Sequence, residues 1–196
     1  MPVSTTAANF MLNQWTAKTL YASLHTAYST SGASELVGSG YTRQTVQWAF
    51  ASGATQNMSN TPSFTVPTST VEYVGYWDNA TAGSFQGMTP LGGASGYAFA
   101  APSATSTFLA PGSSYSANQT IVAFPNGGAV LPTPITAGTI YYAVTVSGDS
   151  FQMSTSSGGT AITLTGDGSG LVTAITAEAF ATTGTYQLNS ASWTLT

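Results

Sequence analysis

The sequence predicts an all-β protein: an antiparallel, sandwich- or barrel-like domain with one N-terminal helix, plus a second small β domain. Three observations carry that expectation. Short runs alternate apolar and polar residues, the period of a half-buried strand. Those runs are punctuated by Gly, Pro and Asn, with 21 Gly and 9 Pro in 196 residues, a pattern of short strands and tight turns. Only the stretch from Thr5 to Leu20 carries helical spacing.

In that stretch Phe10, Met11, Leu12, Trp15, Thr19 and Leu20 recur on one broad face. Thr5 or Thr6 is placed to cap the N-terminus, and Lys18 falls in the last turn, where a cation suits the helix dipole. From Tyr21 the period changes to two. Strands are expected at Tyr21 to Thr26, Arg43 to Phe50, Ser63 to Val66, Val71 to Trp77 and Ser84 to Met88. The composition shifts at Leu91-Gly92-Gly93, and residues 94–117, rich in Ala, Ser, Gly and Pro, read as a linker or loose arm. A second module follows, with strands at Thr120 to Phe124, Thr139 to Val146, Ser150 to Met153 and Ala161 to Leu164. Asp167-Gly168 is expected to make a connection. Two final strands, Thr185 to Leu188 and Ser192 to Leu195, close the chain.

Charge is the unusual quantity. Only 4% of residues are Asp, Glu, Lys or Arg, against roughly 25% in an average globular protein. Lys18 and Arg43 are the only fixed cations; Glu35, Glu72, Asp78, Asp149, Asp167 and Glu178 are the anions. Two cations cannot neutralise a run of phosphates or form a polybasic membrane anchor, so neither nucleic acid nor membrane insertion is expected. No apolar run is long enough for a transmembrane helix, and Met1 to Thr6 lacks the pattern of a signal peptide. The expected course is synthesis in a cytosol, which the chain leaves, if at all, by assembly and lysis. With no Cys there is no disulfide and no thiolate chemistry. A surface of Ser, Thr, Asn, Gln and Gly, without charge to keep copies apart, suits a protein held in an assembly.

Three segments resemble a family of small tailed-phage proteins described as tail-fibre or minor tail proteins. They are Tyr21-Ala22-Ser23-Leu24-His25-Thr26-Ala27 with Gly32-Ala33-Ser34-Glu35-Leu36 and Gly40-Tyr41-Thr42-Arg43-Gln44; Val71 to Phe85, with Val74-Gly75-Tyr76-Trp77 at its centre; and Glu178 to Tyr186. The chain departs from the family pattern at Tyr28-Ser29, where Asp-Pro is common. The resemblance covers residues 1–93 and 177–196, which it implies form one discontinuous virion-anchoring domain. Residues 94–176 would then be an inserted linker and projecting domain. Leu131 to Tyr142, Phe151 to Ser154 and Gly158 to Thr165 resemble a β-module repeated in phage tail and surface proteins.

The resemblance implies a non-catalytic structural protein on the outer surface of a tailed-phage virion, associated with the tail or its fibres. Two alternatives stand beside it: a decoration or minor capsid protein on the head shell, and a carbohydrate-binding receptor module. Partners would be other virion proteins, further copies of the chain (a trimer by analogy with phage fibres) and, for the receptor module, a host surface glycan.

The residues themselves offer no catalytic, cofactor or metal site. His25 is the only histidine, so it cannot form a two-His metal site, and as a lone strand residue it reads as a hydrogen-bonded or rim-exposed imidazole. Glu72 and Asp78 stand at opposite ends of one extended run, about 20 Å apart by strand rise. That is too far for a glycosidase pair, which needs roughly 5–9 Å. Asp149 and Asp167 sit in Gly-containing turns. Trp15, Trp48, Trp77 and Trp193 suit core and interface packing, with a sugar-stacking platform as the alternative. Asn79-Ala80-Thr81 and Asn118-Gln119-Thr120 match glycosylation sequons that Ser/Thr-rich chains produce by chance. Arg43 is the cation with the most specific expectation: a bidentate pair with Glu35 that clamps the 29–40 loop, with an inter-subunit contact as the alternative.

Overall fold

A computed structural model describes residues 3–92 and 96–195. The protein is mostly β, with one helix among the described residues, and forms two compact units: Met1–Thr89 with Glu178–Thr196, and Pro90–Ala177.

In the first unit, helix α1 spans Thr5–Thr16. Its cap is Ser4, whose hydroxyl accepts the Ala7 amide at 3.3 Å, one residue before the expected cap. The helix ends earlier than its apolar spacing suggests, because Leu20 is already paired with Val46 in a sheet. Lys18 therefore lies past the last turn. Ala8 and Leu12 form the buried stripe.

Seven strands follow in the chain: β1 (Leu20–His25), β2 (Gln44–Val46), β3 (Thr55–Asn57), β4 (Ser63–Val66), β5 (Ser69–Val71), β6 (Tyr73–Trp77) and β7 (Phe85–Pro90). Four of them make a sheet in the order β2-β1-β6-β7. Two expected strands are altered. The run from Arg43 to Phe50 is regular only as β2, because the Asn60 side chain accepts the Gln47 amide at 2.8 Å and donates to the Thr45 carbonyl at 2.9 Å. The run from Val71 to Trp77 divides at Glu72. There the chain leaves one partner for another, and the Glu72 amide donates to the His25 carbonyl at 2.9 Å.

The second unit holds β8 (Tyr97–Ala101), β9 (Thr107–Leu109), β10 (Thr120–Phe124), β11 (Tyr141–Ser147), β12 (Ser150–Ser154) and β13 (Gly168–Ala174). They close into a barrel in the order β10-β11-β12-β9-β8-β13, so this sheet has no open edge. Phe99, Phe108, Tyr115, Ile121, Phe151, Met153 and Val172 fill it. The stretch 94–117 is therefore not a loose arm: from Tyr97 onward it supplies two barrel strands, and its alternating Phe99 and Ala101 point inward. Residues 94 and 95 lie outside the described residues.

Ala161 to Leu164 is not a strand. Ile162 and Leu164 reach out singly, to the carbonyls of Met153 and Thr105. The strand starts instead at Gly168, which the sequence reading placed with Asp167 in a connection, and runs on through Ser169 and Gly170. Both glycines serve close backbone approach: a Cβ on Gly168 would sit 2.1 Å from the Pro132 nitrogen, and one on Gly170 2.3 Å from the Phe124 carbonyl oxygen. At the ends of this unit, Thr176 donates its amide to the Leu91 carbonyl at 2.8 Å.

The chain then completes the first unit with β14 (Glu178–Phe180), β15 (Gly184–Gln187) and β16 (Ser192–Thr194). These pair antiparallel with β5, β4 and β3 in turn, a ribbon running back along the first half of the unit.

Candidate functional site

The motif segments, distant in sequence, meet on one face of the β1–β6 pair. Ser23 and His25 are two apart on β1 and share a face; Gly75 lies opposite Ser23, and Tyr21 opposite Trp77. The Trp77 indole nitrogen is 2.9 Å from the Ser23 hydroxyl, which is 2.7 Å from His25 Nε2; His25 Nδ1 is 3.1 Å from the Ala33 carbonyl. The two ends fix the direction of this chain, because an indole only donates and a carbonyl only accepts. Nδ1–H therefore donates to Ala33, Nε2 is bare and accepts from Ser23, and Ser23 accepts from Trp77. His25 is neutral in this arrangement, and burial holds its pKa below the ordinary value.

Two glycines make room for the chain. Gly75 brings its backbone against the imidazole: a Cβ there would lie 2.4 Å from His25 Nε2 and 2.7 Å from the Ser23 hydroxyl. Gly32 has φ +79°, and a Cβ there would meet the Trp77 ring at 2.3 Å. Ser29 shapes the turn that follows: its hydroxyl accepts the amides of Ser31 at 3.1 Å and Ala33 at 3.0 Å.

Beside this chain, Arg43 forms the expected clamp. Its Nε donates to Glu35 Oε1 at 2.8 Å and its Nη2 to Oε2 at 2.7 Å, a two-pronged ion pair. Its Nη1 donates to the carbonyls of Asn79 and Ala82, and the guanidinium lies 3.7 Å from the centre of the Trp77 ring. One cation thus ties the 29–40 loop to the 79–83 turn across the indole. Tyr41 completes the cluster: its hydroxyl accepts the Leu24 amide at 2.7 Å and faces Glu35 at 3.4 Å, and burial raises its pKa.

A serine hydrogen-bonded to a histidine is also the pairing that activates a nucleophile. Here both side chains are fully buried. The Ser23 oxygen is occupied by Trp77, the histidine's other partner is a carbonyl and not a carboxylate, and Gly75 fills the approach. The geometry holds segments together and leaves no place for a reacting group.

The other residues noted in the sequence are dispersed. Glu72 and Asp78 flank β6 at opposite ends; burial raises the Glu72 pKa, while Asp78 accepts the Ser84 amide at 2.7 Å in the turn that Arg43 grips. Asp149 accepts the Gly112 amide at 3.1 Å, and Asp167 accepts the Ser103 amide at 2.6 Å, which keeps its carboxyl below the usual range. Trp15, Trp48 and Trp193 gather with Tyr76 at 4.7–6.1 Å between neighbouring ring centres. Their planes meet at 51–66°, tilted or edge to face, so the rings are not coplanar as a flat sugar platform would require. Asn79 and Asn118 are exposed in turns, and Asn118 uses its side-chain oxygen to accept the Gly158 amide at 2.6 Å.

Sequence reasoning missed Ser23, Gly32 and Gly75 as members of the cluster. The available signal was the strand period: Ser23 and His25 share a face, and a glycine between large aromatics in β6 marks a close approach.

A family model described as Podophage GP4 fiber I protein gp80 matches residues 2–96. That span contains every residue of the Trp77–Ser23–His25 chain and of the Arg43 clamp. Residues 2–96 are thus similar to a family of phage fibre proteins. No curated protein matches the chain.

Proposed function

We propose that this chain is a non-catalytic structural protein on the outside of a tailed-phage virion, associated with the tail or its fibres. One observation carries the reading: the match to a phage fibre family falls on the segments that the buried cluster knits together. What the cluster makes is rigidity, and a virion attachment module needs rigidity without chemistry. The unit of residues 1–89 and 178–196 is the attachment base, and the barrel of residues 90–177 is the projecting module. The ends of that barrel meet at Leu91 and Thr176, which lets such a module interrupt another with little disturbance. The chain works as a homo-oligomer, consistent with its scarcity of charge.

Purified particles of the encoding phage provide the test. Mass spectrometry should find the chain in amounts comparable to other tail components, and antibodies against residues 90–177 should label the tail region of intact particles. Absence of the chain from purified virions would overturn the proposal.

A further inference from the structure

The first unit exposes an apolar surface where its helix meets the returning ribbon. Asn9 and Asn13 of α1 accept the amides of Ala54 and Ala51, each at 2.8 Å, and Leu195 donates its amide to the Ala54 carbonyl at 3.0 Å. Three large apolar side chains border this seam and face solvent: Phe50 is 90% exposed, Phe10 65% and Leu195 37%. Helix α1 needs its inner stripe for the fold, but Phe10 and Phe50 contribute nothing to that stripe. Large apolar side chains left exposed around one seam point to an interaction surface.

From these residues we infer that the surface is where copies of the chain associate, a proposal that rests on the oligomer reading above. Charge identifies the occupant. Residues 1–17, 44–71 and 179–196 contain no Asp, Glu, Lys, Arg or His. A charged partner would find nothing here to complement. A second copy, in contrast, brings an equally uncharged surface, so that neither side buries a charge without a partner.

The sheet beside the patch supplies a second reason. Strand β16 pairs with β3 on one side, and no other strand among the described residues pairs with its second edge. That edge, Ser192-Trp193-Thr194, carries neither the Lys nor the Pro that commonly guards an open strand against pairing. It is available to a second copy's edge, next to Leu195.

The test is the association state of the full-length chain by sedimentation velocity over a wide concentration range, with F10E, F50E and V37E. Val37 is 86% exposed and belongs to the 29–40 loop, not to α1, the 50–54 segment or the C-terminal ribbon. Tryptophan emission confirms that each variant is folded. The wild type should be oligomeric, F10E and F50E should each weaken association about tenfold or more, and V37E should leave it unchanged. A monomeric wild type would overturn both the oligomer and the surface. An oligomer indifferent to F10E and F50E, or equally weakened by V37E, would overturn the surface alone.

Discussion

Gly75→Ala adds one methyl group where the structure has no room for it. The new Cβ would fall 2.4 Å from His25 Nε2 and 2.7 Å from the Ser23 hydroxyl. Neither can yield freely, since the imidazole is held by Ala33 and the hydroxyl by Trp77. Overpacking a buried site costs about 1–3 kcal/mol, and breaking the Ser23–His25 bond leaves a buried polar group worth about 1–3 kcal/mol more. The smaller entropy of the unfolded alanine chain offsets about 0.4–1 kcal/mol. The net expectation is a loss of about 2–5 kcal/mol from the first unit. Urea unfolding followed by tryptophan fluorescence reads that unit selectively, because Trp15, Trp48, Trp77 and Trp193 all belong to it. Gly53→Ala is the comparison: its φ is +62° but nothing lies within 4 Å of the added methyl. It should cost only the backbone strain, about 1–2 kcal/mol. If G75A unfolds at the wild-type urea concentration, the packed hydrogen-bond chain is not what orders this face.

Three further expectations follow from the same cluster and from the two-unit architecture. Arg43→Lys keeps the charge but loses the fork on Glu35 and the stacking on Trp77, and should cost about 1–3 kcal/mol in the same urea assay; Arg43→Met, which strands Glu35, should cost more. The stability of the first unit should fall as pH drops below 6.5, the ordinary histidine value. The folded-state pKa of His25 is depressed, so the unfolded chain takes up the proton first, and the loss continues until the folded pKa is passed. Glu72, with a raised pKa, acts in the opposite sense just above 4.5, so the slope is best measured in an E72Q background, where H25Q should abolish it. Finally, residues 90–177 expressed alone should give a cooperatively folding barrel by circular dichroism; a chain without a thermal transition would count against an autonomous module.

Much of the β architecture was legible because its strands obey the period of two. Ser63–Val66 falls where the alternation puts it, and Thr120–Phe124 falls on a short apolar run, the mark of a strand buried on both faces. The failures have specific physical causes. At Glu72 an apparently continuous strand changes partners, which local alternation cannot reveal. Asp167-Gly168 looks like a turn because glycine's use in close backbone packing is invisible without the neighbour Pro132. The stretch around Tyr97 to Leu109 has few branched residues, yet closure into a barrel, a tertiary property, makes it strand. In the cluster, Arg43 and Glu35 were legible because two cations in the whole chain leave few candidates. The link from Trp77 through Ser23 to His25 was not, since it depends on which strands neighbour one another.

The most direct test of the structural reading is a reconstruction of the virion at side-chain resolution with this chain traced in it. The account predicts density for the chain on the tail or its fibres, with residues 1–89 and 178–196 seated against other virion proteins and the barrel of 90–177 directed outward. Regularly spaced density on the icosahedral head shell would contradict the tail assignment, and the absence of the chain from the particle would contradict the account as a whole.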